Sequence, residues 1–267
     1  MHYIILIVGF IFLGAFAGIM AGLLGIGGGL VVVPGLAYLY YYTAVPHNHL
    51  MQMAEGTSLA IMIPTTIRSL LAHLQRKAEV WPIFSKLLPS VIVGAILGAL
   101  LAHVVNSKVL QILFGFFVLY MAVRLWFDSR TEAQGKLPGP VGLNIFGTIV
   151  GAKSGLLGIG GGVLTIPFLT RWSVPIRDSI AISNAVSFTV SIIGTLSFII
   201  SGLMVKGMPA WSTGYVYWPA WLPVALVSMI VAPWGVKLAH HLSPKILKRI
   251  FSIFLLMVAG QMLKILI

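Results

Sequence analysis

A chain of 267 residues that is 59 % hydrophobic and 8 % charged, with a mean hydropathy of +1.03, is too apolar for a soluble domain, whose charged share is about 25 %. The formal charge of +12 does not indicate a nucleic-acid binder, because Lys and Arg are scattered between apolar runs rather than gathered on a polar face. There is no cysteine, which excludes disulfides, thiolate metal sites and thiol redox chemistry. What remains is an all-α polytopic membrane protein, with several runs reaching the ~20 residues that cross a bilayer.

The first run, Tyr3–Leu24, has no Lys or Arg ahead of it to act as a signal-peptide n-region. Its end also matches an interior segment, so it is read as a retained helix. It leads into Gly22–Pro34, GLLGIGGGLVVVP, and the same eight opening letters recur in Gly155–Pro167, GLLGIGGGVLTIP. Each glycine costs a helix interior about 1 kcal/mol against alanine. Both copies are therefore expected to be a helix, a break and a short second helix, with Pro34 and Pro167 as structural residues of the breaks. The short run Leu30–Tyr42 rises too little to cross. A loop, Thr43–Gln52, then precedes the span Met53–Leu74, which opens on Glu55-Gly56-Thr57-Ser58. After the charged loop Gln75–Trp81, the spans Pro82–Val105 and Val109–Phe127 form a hairpin around Asn106-Ser107-Lys108.

Residues 128–139 form the longest polar stretch and read as a linker between a first membrane repeat, 1–127, and a second, 140–267. The second half follows the same order. Pro140–Leu157 leads to the second Gly loop and the short run Val163–Trp172. Asp178–Ile200 then contains Ser183-Asn184-Ala185 where the first half has Gly56-Thr57-Ser58. After the loop Ser201–Val216, the spans Tyr217–His240 and Lys245–Ile267 close the chain. A Gly-loop hairpin returns to its starting side and three spans follow it, so each half crosses an odd number of times. The repeats are therefore expected to be inverted, with about eight to ten membrane segments in all.

Charge agrees with inversion. If Gln75–Trp81 faces the cytoplasm, the inner ends collect Arg68, Arg76, Lys77, Lys86, Arg124, Arg130, Lys136, Arg171, Arg177, Lys237, Lys245, Lys248 and Arg249. The outer ends keep Lys108, Lys206 and Lys264. This positive-inside bias puts both termini outside, and the expected location is a bacterial or archaeal cell (inner) membrane. Trp211, Trp218 and Trp221 read as an aromatic belt.

Inverted repeats with Gly-interrupted spans point to a binding site near the bilayer midplane, where the halves meet. Successive glycine N–H groups make an anion-binding concavity, and a helix N-terminus adds partial positive charge. The residues expected there are Gly25, Gly27, Gly28 and Gly29 in one half and Gly158, Gly160, Gly161 and Gly162 in the other. Close helix packing through small residues is the competing reading for these glycines. Lys153, the one basic residue well inside a span, is expected to add charge beside the second loop, against the alternative of snorkelling. Thr57, Ser58, Ser183 and Asn184 are hydrogen-bond donors for an oxyanion, or else helix-packing groups. Glu55 is either a proton carrier for coupling or a helix-start carboxylate. No spacing among the histidines resembles a metal site, so neither metal nor cofactor is expected.

GIGGG with its following proline in two copies, together with the paired polar residues opening each third element, resembles the TauE/SafE family of membrane permeases, the sulfite exporter family. The resemblance spans nearly the whole chain. It implies transport of small sulfur-containing anions such as sulfite or organosulfonates. By motif it carries over Gly25, Gly27, Gly28, Gly29, Pro34, Thr57 and Ser58, and then Gly158, Gly160, Gly161, Gly162 and Pro167. Asn184-Ala185 departs from the family's Thr-Ser, which bears on the symmetry of the site. The expected partners are the bilayer and a small anion, with homo-oligomerisation open. An anion channel and a membrane scaffold are the rival readings. An intramembrane enzyme is not expected, since the few carboxylates sit mostly at span ends.

Overall fold

The computed structural model describes residues 2–24, 28–43, 45–75, 78–127, 135, 137–241 and 244–264, and their side chains except at 2–4, 22–24, 72, 236–241 and 244–248. Among the described residues, ten α-helices follow one another in two sets of five. The first set is α1 (His2–Leu24), α2 (Gly29–Tyr40), α3 (Leu50–Gln75), α4 (Trp81–Val104) and α5 (Ser107–Phe127). The second is α6 (Pro140–Leu157), α7 (Gly162–Arg171), α8 (Ile176–Gly202), α9 (Trp218–His241) and α10 (Pro244–Leu263). Two small elements have no counterpart in the sequence reading. They are a 3-10 turn at His47–His49 and a hairpin of β1 (Ser212–Thr213) and β2 (Val216–Tyr217), paired antiparallel as Ser212 with Tyr217 and Thr213 with Val216.

Among the described residues, four stretches are long and apolar enough to cross a membrane: Trp81–Val104, Ser107–Phe127, Ile176–Gly202 and Trp218–Gly235. Their outer faces carry exposed Leu97, Leu100, Phe116, Leu196 and Leu226, the side chains expected to face lipid tails. Helix α3 is less apolar for a physical reason. Every residue from Leu50 to Met62 is buried, so the polar side chains of that stretch, Gln52, Glu55, Thr57 and Ser58, face protein and not lipid.

The glycines break the helices as expected, and the second copy shows how. Gly158 ends α6 in the left-handed conformation, φ 64° and ψ 27°, a common helix C-terminus. Its N–H and that of Ile159 both donate to the Ser154 carbonyl. Gly161 then opens α7, its carbonyl accepting from the Leu164 and Thr165 amides and from Thr165 Oγ1. In the first copy Gly28 is also left-handed, φ 74°, and its carbonyl accepts from the Val31 and Val32 amides. The short helix α2 folds back along α1, whereas α7 packs on α8 and touches α6 through a ring stack. Tyr40 of α2 meets Phe10 of α1 edge-on, and Phe168 of α7 stacks on Phe146 of α6 with ring centroids 3.5 Å apart. The two prolines correct the sequence reading. Pro34 and Pro167 lie inside α2 and α7, not at the breaks. Lacking an N–H, each releases the carbonyl of the residue four before it, Leu30 or Val163.

The halves are interleaved. Helix α4 packs along α6 of the other half, and α9 packs along α1. At the centre α3 crosses α8, and α5 packs on α10. Most of the remaining main contacts come in matched pairs, α2 with α3 and α7 with α8, α4 with α8 and α9 with α3, while the packing of α1 on α2 has no comparable counterpart between α6 and α7. The matched pairings are unchanged when α1–α5 is exchanged with α6–α10. One hydrophobic core runs through both sets, from Phe10 and Leu36 to Val190 and Leu255.

Candidate functional site

The glycine loops meet at the α3–α8 crossing. A Cβ placed on Gly29 would lie 2.9 Å from Ile159 Cα and 3.1 Å from the Gly158 carbonyl oxygen, so the two stretches of main chain touch. The second loop is wedged between the central helices. On one side Gly158 rests against the main chain of Glu55, and Ser58 Oγ donates to the Gly158 carbonyl at 2.9 Å. On the other side Gly160 lies against Ser187 Oγ and the end of Met62, while Gly161 lies against Val186. Side chains cannot fit where main chain is packed this closely. Among the described residues, no acceptor is found for the N–H of Gly160, Gly161 or Gly162. Three successive free amides ahead of a helix N-terminus are the arrangement that holds an anion. Gly25 and Gly27 lie outside the described residues.

Glu55 is fully buried, and neither carboxylate oxygen has a hydrogen-bond partner among the described residues. A buried charge without a partner costs several kcal/mol, so this carboxyl suits a group that gains and loses a proton as its surroundings change. Ser183 Oγ is likewise buried without a partner. Asn184 Nδ2 donates to the Ile180 carbonyl of its own helix at 3.0 Å.

Thr57 is used differently from its neighbour Ser58. Its Oγ1 accepts from the buried Tyr40 hydroxyl at 3.1 Å and from the Tyr217 amide at 3.0 Å. It thereby ties α3 to the end of α2 and to β2. Thr57→Val withdraws the acceptor from both donors, and each buried donor left unmade costs about 1–3 kcal/mol. The variant is expected to lose stability in a denaturant titration in detergent, while Thr57→Ser retains it. Equal stability of the two variants would show that this junction carries no weight.

Lys153 is a correction. Its side chain is exposed on α6, with the ammonium 5.4 Å from the centre of the Phe117 ring, whereas the glycines of the loop are buried. The residues that α6 turns inward near its end are Gly151, Ser154 and Gly155. Lys153 lies on the face opposed to them, so helical phase separates it from the loop despite its proximity in sequence.

A group missed by the sequence reading stands at the N-terminal end of α3. His103 Nδ1 and Tyr215 Oη are 3.0 Å apart, and the His49 ring packs against Tyr215. Burial, with His103 nearby, lowers the pKa of His49 below the usual imidazole range, and burial raises that of the Tyr215 phenol. The residues come from three separate elements, so no spacing in the chain could have grouped them. A groove of about 410 Å³ between α1, α2 and α10, lined by Phe12, Val31, Pro34 and Phe254, lies elsewhere on the molecule.

An all-α polytopic membrane protein with broken helices meeting in its interior is the class this fold defines. Residues 10–262 match the model of the family described as Sulfite exporter TauE/SafE. The chain belongs to that family. It is 34 % identical over 250 residues to a "Probable membrane transporter protein" of Haemophilus influenzae, covering 93 % of this chain and 95 % of the relative. It is 32 % identical over 254 residues to a protein of the same description from Methanocaldococcus jannaschii, covering 93 % and 90 %. A further relative so described, from Bacillus subtilis, is 29 % identical over 223 residues, covering 76 % and 80 %. No solved structure matches the chain.

Proposed function

We propose that this protein is a permease for small sulfur-containing anions such as sulfite or organosulfonates. In this reading the anion binds at the paired glycine loops near the bilayer midplane, and alternating access of two inverted repeats moves it across a cell inner membrane. Both termini lie outside, as the charge distribution favours. The observation that carries the reading is the run of N–H groups at Gly160, Gly161 and Gly162 without an acceptor among the described residues, beside the contact of Gly29 with Ile159. The family's description supports a sulfur oxyanion as cargo, and the exchangeable helix pairing supports a rocking of one half against the other.

Glu55 gives the proposal its coupling. It lies against Gly158, two residues before the free amides. Negative charge on Glu55 and on a bound anion repel, so anion and proton favour each other's binding by reciprocal linkage. Purified protein is expected to gain thermal stability with sulfite or a simple sulfonate and not with sodium or potassium. In proteoliposomes an imposed pH gradient is expected to drive sulfite flux, and Glu55→Gln to abolish that dependence while keeping the thermal shift. Flux indifferent to the gradient in the unaltered protein would remove the coupling. Absence of any anion-dependent shift across sulfite, thiosulfate, sulfoacetate and sulfate would remove the site.

A further inference from the structure

Helix α8 carries hydroxyls at every fourth position: Ser179, Ser183, Ser187, Ser191 and Thr195. That spacing turns the set by about 40° per step around the helix, with about 6 Å between neighbours along the axis. All five are at most 5 % exposed. In membrane helices Ser and Thr ordinarily donate back to the carbonyl one turn earlier; on α8 Thr189 and Ser197 do so, and Ser179 of the ladder donates to the Val174 carbonyl at 3.3 Å. Thr189 Oγ1 donates to the Ala185 carbonyl at 3.0 Å and Ser197 Oγ to the Ile193 carbonyl at 2.8 Å. Of the ladder hydroxyls, Ser183 Oγ, Ser191 Oγ and Thr195 Oγ1 have no partner among the described residues. Buried hydroxyls without a partner are costly, and here Ser183 and Ser191 stand about 40° to either side of Ser187 around the helix axis, with Thr195 about 40° further on. The middle member, Ser187, stands against Gly160 of the second loop, its Oγ 3.0 Å from where a glycine Cβ would be.

We infer that this ladder on α8 is the wall along which the anion travels, with Ser183 on one side of the Gly160 amide and Ser191 and Thr195 on the other. The inference rests on the reading of the glycine loops as an anion site. An oxyanion brings acceptor oxygens to hydroxyls that lack them, and each hydroxyl donates a charge-assisted bond. No Lys or Arg occurs on α8 between Asp178 and Gly202, so no fixed cation would trap the anion. Weak sites in series let an anion move away from the glycine loops once the path on one side is open.

The absence of cysteine allows a direct test. Ser183→Cys, Ser191→Cys and Thr195→Cys are made singly in the full chain, reconstituted, and exposed to two small methanethiosulfonate reagents, one carrying a sulfonate and one a quaternary ammonium. Thr189→Cys and Ser197→Cys, on the same helix with their hydroxyls bonded back, are the controls. The ladder cysteines are expected to react at least tenfold faster with the sulfonate reagent than with the ammonium reagent, and the controls to react slowly with both. In parallel, Ser191→Ala and Thr195→Val are expected to cut sulfite flux about tenfold with the thermal shift preserved, and Thr195→Ser to restore it. Ladder cysteines as slow as the controls would overturn the inference. Equal reaction with both reagents would also overturn it, since the ladder would then be a hydrated path without preference for anions. If sulfonate-selective labelling is found but sulfite neither binds nor moves, the ladder stands and the choice of cargo falls.

Discussion

Gly158→Ala is expected to produce one of the largest losses of stability of any single substitution in this chain. Two costs combine there. The residue sits at φ 64°, a left-handed conformation that costs a residue with a Cβ about 1–2 kcal/mol. The added methyl would also lie 2.5 Å from Glu55 Cα and 2.9 Å from its carbonyl oxygen. Those atoms are main chain of a buried helix and cannot rotate aside, so α3 and the loop must separate. The Ser58 to Gly158 hydrogen bond is lost with them. A total of about 3 kcal/mol or more follows. Gly207→Ala isolates the torsional part, because Gly207 has φ 81° with nothing within 4 Å of its Cβ position. Its cost should stop at about 1–2 kcal/mol. Unfolding of the purified protein in a detergent titration checks the difference. If the two variants lose the same stability, the contact with α3 is not what holds the loop.

Gly98→Val is the second large effect, and it acts on the seam between the halves. Gly98 of α4 faces Ala152 and Leu156 of α6. Gly94 faces Thr148 and Ala152, and from the other helix Gly151 faces Val91 and Gly155 faces Ala95. In nearly every case the nearest atoms are backbone. Small residues every four positions let two membrane helices approach to main-chain contact, where dispersion is the cohesive force. A valine at Gly98 forces the axes apart along several turns, a cost of about 3 kcal/mol. Gly260→Ala in α10 is the opposite case. Nothing lies within 4 Å of its Cβ position, so the substitution should gain up to about 1 kcal/mol from helix propensity alone. The fraction remaining monodisperse after heating in detergent reads both signs. A Gly98→Val protein as heat-stable as the unaltered one would mean that this seam tolerates separation.

These contrasts mark what the chain's order of residues could and could not convey. The duplicated GLLGIGGG announced two helix breaks, and the interruption at Gly158 is where the letters put it. Element boundaries were legible to within a few residues, with α6 predicted at its observed limits, because apolar runs bounded by Pro, Gly and charge leave little choice. Pro34 and Pro167 were misassigned to the breaks because a proline's local effect was taken for the end of a helix. In fact two short helices absorb one missing hydrogen bond each. Lys153 looked like part of the site because it is two residues from Gly155. Two residues is about 200° around a helix, enough to turn it to the outer surface. The α8 ladder was present in the sequence as a hydroxyl at every fourth position, but only the hydrogen-bond partners distinguish Ser191 and Thr195 from Thr189 and Ser197.

The sequence by itself determined the class, the duplication and the residues at which helices must stop, since all three depend on local composition and on backbone preferences carried by each residue. Which surfaces meet was decided by the tertiary structure. The interleaving of α4 with α6 and of α9 with α1, the contact of Gly29 with Ile159, and the burial of Glu55 join residues far apart in the chain. Close packing of whole helices selects such contacts by shape, and shape is a property of the assembled faces and not of any single segment.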